Sequence, residues 1–98
     1  RFDDARIEHL RQEPVLVVLD ALGLYWKLDA TFQPVKDKAT VRVHVSLGGM
    51  VIELLATGPK WYDVQAGRGG GGAIDLAMYL LHLDFVTAVK RLQAALQI

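Results

Sequence analysis

Apolar and polar residues alternate most regularly between Thr40 and Thr57, where the runs Thr40–Leu47 and Met50–Thr57 flank Gly48-Gly49. A glycine pair between alternating runs suits a tight hairpin turn with positive φ at both positions. Pairing Leu47 with Met50 places Val45 opposite Ile52, Val43 opposite Leu54 and Val41 opposite Ala56, so one face is wholly apolar. The other face sets Ser46 against Val51, His44 against Glu53 and Arg42 against Leu55, a mixed surface that can meet solvent or a ligand. Gly58-Pro59-Lys60 turns the chain, and residues 61–64 are expected as a third strand beside the hairpin.

Helical spacing dominates both ends. Asp3-Asp4 at the start and Arg11 at the end give residues 3–11 the charge order of a short helix, although its apolar face is thin. Pro14 suits a first helical turn, and Val15, Val18, Leu19 and Leu22 follow at helical spacing up to Gly23. This predicts a helix over 14–22, while Val15-Leu16-Val17-Val18 also fits a buried strand. Residues 24–28 read as a short strand, and residues 29–38 show no period and read as a loop. After the glycine-rich residues 67–72, a helix over 73–83 carries apolar stripes on more than one side. Asp84 is placed to cap a last helix with the stripe Phe85, Ala88, Val89, Leu92 and Leu96. The pattern predicts an α+β fold: a small antiparallel sheet (hairpin 40–57 plus strand 61–64), N-terminal helices, and a C-terminal helical hairpin packed on the sheet's apolar face.

Composition narrows the classes. With 98 residues, 52% of them hydrophobic and 22% charged, the chain has room for one small domain with a real core. Eleven basic residues balance eleven acidic ones, so any contact with nucleic acid must be a local patch. The absence of cysteine removes disulfides and thiolate zinc sites, and weighs toward a cytoplasmic protein. No apolar run approaches the roughly 20 residues of a membrane span, so no membrane partner is expected. The chain starts at Arg1 without Met, consistent with a domain excised from a longer protein.

Gly67-Arg68-Gly69-Gly70-Gly71-Gly72 satisfies the spacing of a dinucleotide-binding loop. The preceding strand follows an antiparallel hairpin, however, and no acidic residue near position 92 is available for a ribose. A glycine turn that lets a strand meet a helix closely is the simpler reading. Asp75 already occupies the positive end of the following helix, so an anion there would rely on Arg68, Lys60 and loop amides. His44 and Glu53 face each other as a simple cross-strand hydrogen bond would require. Neither His9 nor His82 has the clustered partners of a zinc site. No Ser, Thr or Lys sits in a nucleophile motif, so no catalytic residue, metal or cofactor is assigned and the domain is read as a non-enzyme.

The candidate binding residues are Arg42, His44, Lys60, Trp61, Tyr62 and Arg68. Positive charge beside stacking surface is what single-stranded nucleic acid uses. Strand alternation turns one of Trp61 and Tyr62 inward. Residues 36–72 hold five basic and three acidic residues, whereas residues 1–20 hold five acidic and three basic, which favours binding at the sheet and glycine loop.

Five short stretches occur together in order: Ala21-Leu22-Gly23-Leu24, Trp61-Tyr62, Gly70-Gly71, Ala73-Ile74-Asp75-Leu76, and Asp84-Phe85-Val86-Thr87-Ala88-Val89-Lys90-Arg91-Leu92. From about Val15 to Ile98 this layout resembles the zinc-binding domain of bacterial DNA primases and of primase-like proteins on plasmids and other mobile elements. That family binds zinc through Cys-x-x-His on the hairpin and Cys-x-x-Cys at the aromatic strand. If His44 falls at the family histidine, the cysteine positions fall at Val41, Val64 and Gly67, so three of four ligands are absent and no zinc is expected. The resemblance implies one module over residues 1–98 that binds single-stranded DNA in replication or transfer of a mobile element, beside a primase, helicase or relaxase partner. The alternative is a protein-interaction domain that docks such a partner without touching DNA.

Overall fold

The computed structural model describes residues 3–98, as four helices and one five-stranded antiparallel sheet. Helices α1 (Asp4–Arg11) and α2 (Val15–Ala21) precede strands β1 (Tyr25–Leu28), β2 (Val41–Leu47), β3 (Met50–Thr57), β4 (Lys60–Asp63) and β5 (Arg68–Gly71); helices α3 (Ala73–Leu81) and α4 (Phe85–Leu96) close the chain. The strands lie in sequence order, β1-β2-β3-β4-β5. This is the expected α+β arrangement, with the three-stranded sheet enlarged by an edge strand on each side, β1 and β5.

The β2–β3 hairpin has the register that alternation predicts, from Leu47 opposite Met50 to Val41 opposite Ala56. Gly48 and Gly49 take φ of 53° and 86°, the positive values a primed hairpin turn requires. Val43, Val45 and Leu54 are completely buried on the inner face, where each contributes roughly 1.5–3 kcal/mol by leaving water. All four helices lie on that side. Helix α2 packs against β1 and β3, and α3 packs against α1, α2, α4 and β5. Leu10, Val18, Leu19, Leu76, Ala77, Val89 and Leu92 join the strand residues in one core.

The helix ends follow local chemistry. Asp3 caps α1 by accepting from the Ala5 N–H at 2.7 Å, and Asp84 caps α4 by accepting from the Thr87 N–H at 2.7 Å. The segment 15–21 is helical, with Pro14 as its extended N-cap. Leu24 is not part of β1, because its N–H donates back to the Leu19 carbonyl at 3.0 Å and so belongs to the helix end. Helix α3 stops at Leu81, short of the expected residue 83, because His82 adopts a left-handed conformation (φ 55°) that redirects the chain into α4.

The third strand is shifted by one residue, to Lys60–Asp63. Beyond it the chain reverses through a turn held by Asp63, whose carbonyl accepts from the Gly67 N–H at 2.9 Å and whose Oδ1 accepts from the Ala66 N–H at 3.2 Å. Residues 68–71, expected as a loop, then pair with β4 as a strand. Glycine is depleted in strands because it pays the largest backbone entropy and offers nothing to pack. Here the missing side chains make room. A Cβ at Gly70 would collide with the Asp75 carboxylate and stand 2.8 Å from Trp61 Cζ2, so only glycine permits α3 and Trp61 to close on the strand.

Candidate nucleic-acid interface

Strand alternation sorts the candidate residues onto two faces. Arg42 lies opposite Leu55, and Leu55 opposite Tyr62, forming one cross-strand row on the outer face. The next rows hold Lys27, His44 and Glu53 on one side and Thr57 and Lys60 on the other. Arg42, His44, Lys60 and Tyr62 therefore share a surface, joined by Lys27, which sequence reading passed over because β1 shows too short an alternation to orient it. Tyr62 is 44% exposed.

Trp61 points the other way. It is 4% exposed and stacks on Tyr79 with ring centroids 4.7 Å apart, and its Nε1 has no acceptor among the described residues. Of the aromatic pair, Tyr62 is the one that presents a ring to solvent. Arg68 also departs from the expected cluster. It lies opposite the buried Asp63, and its guanidinium carbon sits 5.2 Å from the centre of the Tyr79 ring on the helical side. Arg42 and Arg68 thus occupy opposite faces of the sheet. The Tyr79 hydroxyl donates to Asp63 Oδ2 at 2.7 Å, and this bond to a carboxylate is the main reason its pKa is raised.

Asp29 organises the outer face. It opens the loop of residues 29–40, whose first ten residues show no period in the sequence and carry no expected function. Its Oδ1 accepts from the Thr31 N–H (2.9 Å) and hydroxyl (2.6 Å), while its Oδ2 meets Arg42 Nε at 2.9 Å and His44 Nε2 at 3.2 Å. The expected His44–Glu53 hydrogen bond is replaced by this contact, and Glu53 instead lies 3.7 Å from Arg42 Nη1. The Thr31 bonds first, then those from His44 and Arg42, hold the Asp29 carboxyl well below the usual carboxylate range. Phe32 completes the arrangement with its ring centre 5.0 Å from the Arg42 guanidinium carbon. Arg42 is thereby held between an aromatic ring and two carboxylates. The cations Lys27, Lys36 and Lys60 have no acidic partner among the described residues.

At the positions that the primase resemblance aligns with zinc ligands, Val41, Val64 and Gly67 bring no side-chain donor, and His44 is engaged by Asp29. Among the described residues no three His, Cys, Asp or Glu side chains gather to hold a metal ion. These residues do not fit the zinc of that family. The Gly67–Gly72 stretch offers no phosphate cradle of the dinucleotide type either, since its core is an antiparallel strand and Asp75 Oδ2 accepts from the Gly71 N–H at 3.1 Å at the start of α3. No described helix is long and apolar enough to cross a membrane.

Comparison with protein-family models, curated proteins and solved structures finds no match to this chain.

Proposed function

We propose that this domain is a non-catalytic module that contacts single-stranded DNA through the outer face of its sheet. The observation that carries this reading is the surface formed by Lys27, Lys60 and the exposed Tyr62, around the Arg42–Leu55–Tyr62 row. Unpaired cations attract phosphates and a solvent-facing ring offers a base something to stack on, which is sequence-independent recognition of a single strand. The setting, a primase-like or plasmid and mobile-element replication or transfer system in the cytoplasm, rests on the resemblance in the sequence alone.

Fluorescence anisotropy with labelled strands of about 12 nucleotides, at low and moderate salt, tests the proposal. The expected affinity is micromolar and weakens as salt rises. Lys27→Ala combined with Lys60→Ala should reduce it severalfold, whereas Arg68→Ala on the other face should leave it nearly unchanged. Absence of binding at low salt, or indifference to the double lysine variant, would remove the reading.

A second reading is favoured by Tyr25 and Val51, which are 69% and 58% exposed. Tyr25 and Val51 fall in one row with Ser46 on the outer face, whereas Met50 alternates onto the inner face. Apolar side chains grouped in this way can dock a protein, here a primase, helicase or relaxase partner. Capture of such a partner by a salt-insensitive contact that Val51→Asp abolishes would favour docking over DNA binding.

A further inference from the structure

The loop of residues 29–40 does more than connect β1 to β2. Its middle stands over the outer face of β3 and β4 and leaves a groove of about 490 Å³, within the ~300–1,000 Å³ range of small-ligand sites. Phe32, Pro34 and Val35 line it from the loop and Leu55 and Tyr62 from the sheet; Lys36 and Lys60 bring two positive charges against the one carboxylate of Asp37, whose Oδ1 accepts from the Ala39 N–H. We propose that this groove receives one unpaired base of a bound single strand, with the phosphates on either side of that base held by Lys36 and Lys60. The inference rests on the single-strand reading given above and adds to it a built pocket for a single nucleotide.

Three observations support the choice of occupant. Val35 is 95% exposed, so a flat apolar group seated against it removes from water a surface that the free protein leaves open. Lys36 and Lys60 lack acidic partners among the described residues, so their charge is available to an incoming anion. The two ends of the wall are also set in advance. Asp29 fixes Arg42, Arg42 lies against Phe32, and the Thr40 and Thr57 hydroxyls, 2.6 Å apart, tie the far end of the loop to β3. A groove anchored at both ends has less to order on binding. In a nucleic-acid strand, an apolar ring and a negative charge on either side of it recur in every repeat unit. An acidic peptide carries its charges on side chains separate from its apolar groups, and so fits a groove flanked by two cations less directly.

The test compares a 12-nucleotide poly-thymidine strand with an abasic strand of the same length and phosphate count. The intact protein should bind the base-bearing strand roughly fivefold or more tightly, in line with the contribution of one stacked base. Val35→Asp changes a side chain that packs on almost nothing, so the fold should persist, as a thermal melt would verify. This variant should erase the preference for bases while both strands still bind. Equal affinity of the unaltered protein for the two strands would overturn the groove proposal and leave the surface reading intact. Failure of both strands to bind at low salt would remove both. Displacement of the strand by an acidic, aromatic-containing peptide at lower concentration than by free poly-thymidine would reassign the groove to a protein partner.

Discussion

Along β2, Val43 and Val45 are wholly buried against the helices, while Arg42 and His44, one residue away, meet an aspartate from a surface loop. The same contrast continues in β3 and β4, where Leu54 and Trp61 are buried and Leu55 and Tyr62 belong to the outer face. The inner face is held by packing, in which every side chain is constrained by several neighbours. The outer face is held by a few directional contacts that converge on Asp29, and between them lie lysines with nothing to pair. Stability and recognition are thus separated by the pleat of a single sheet, so substitutions one residue apart should have different consequences.

The largest separation is expected between Leu54→Ala and Leu55→Ala. Removing the fully buried Leu54 side chain should cost about 2–5 kcal/mol, read as a fall in urea midpoint, because the cavity cannot collapse. Leu55→Ala, on the half-buried outer face, should cost well under half as much and weaken strand binding more than it weakens the fold. Equal losses in stability would break the division between faces.

Within β5 the comparison narrows to adjacent glycines. Gly70 shares the inner face with Trp61, and an alanine there is expected to cost about 1–3 kcal/mol, since the Trp61 ring and Asp75 must both shift. Gly71 lies opposite Lys60, with open space around its missing Cβ and no positive φ. Gly71→Ala should be neutral or raise stability by about 0.4–1 kcal/mol, because it restricts the unfolded chain without crowding the folded one. Thermal melts of the two variants would sharpen the contrast.

The smallest effect concerns pH. The Asp29 carboxyl has a folded pKa below its unfolded one, so its contribution to stability is present above the ordinary carboxylate pKa of about 3.9 and is lost as pH falls below it. Asp29→Asn should therefore flatten the acid limb of stability without abolishing it, because Asp84 is held low in the same direction by its bonds to Thr87. Circular dichroism melts between about pH 6 and pH 2 should show the gap between the unaltered protein and the variant narrowing toward the acid end. A gap that does not narrow would mean that the Asp29 network acts through loop geometry rather than charge.

The features legible in the sequence were those governed by local rules. Gly48-Gly49 and the strict alternation of β2 leave the hairpin one register that buries Val43, Val45 and Leu54 together, and the structure has it. Asp3 and Asp84 stand where helix caps belong, and they cap. What escaped reading depends on contacts distant in sequence. Strand β5 has no strand-forming residues and is recruited by β4, Trp61 and Asp75. Asp29 lies in an aperiodic loop, and its role emerges only when Arg42 and His44 arrive beside it, 13 and 15 positions later. The placement of Arg68 on the helical side likewise follows from the 63–67 turn, which sets it opposite Asp63.

A strand composed of Arg-Gly-Gly-Gly also affects how the molecule opens. Bonded to a neighbour on one side only and giving up more backbone freedom than any other strand, β5 has the least to lose by detaching. Its amide protons should exchange with solvent through brief excursions that leave β2 and β3 intact. In each excursion the Trp61 ring loses its cover and Asp75 loses the Gly71 N–H it accepts from, so the glycine-built margin is expected to open before the central hairpin.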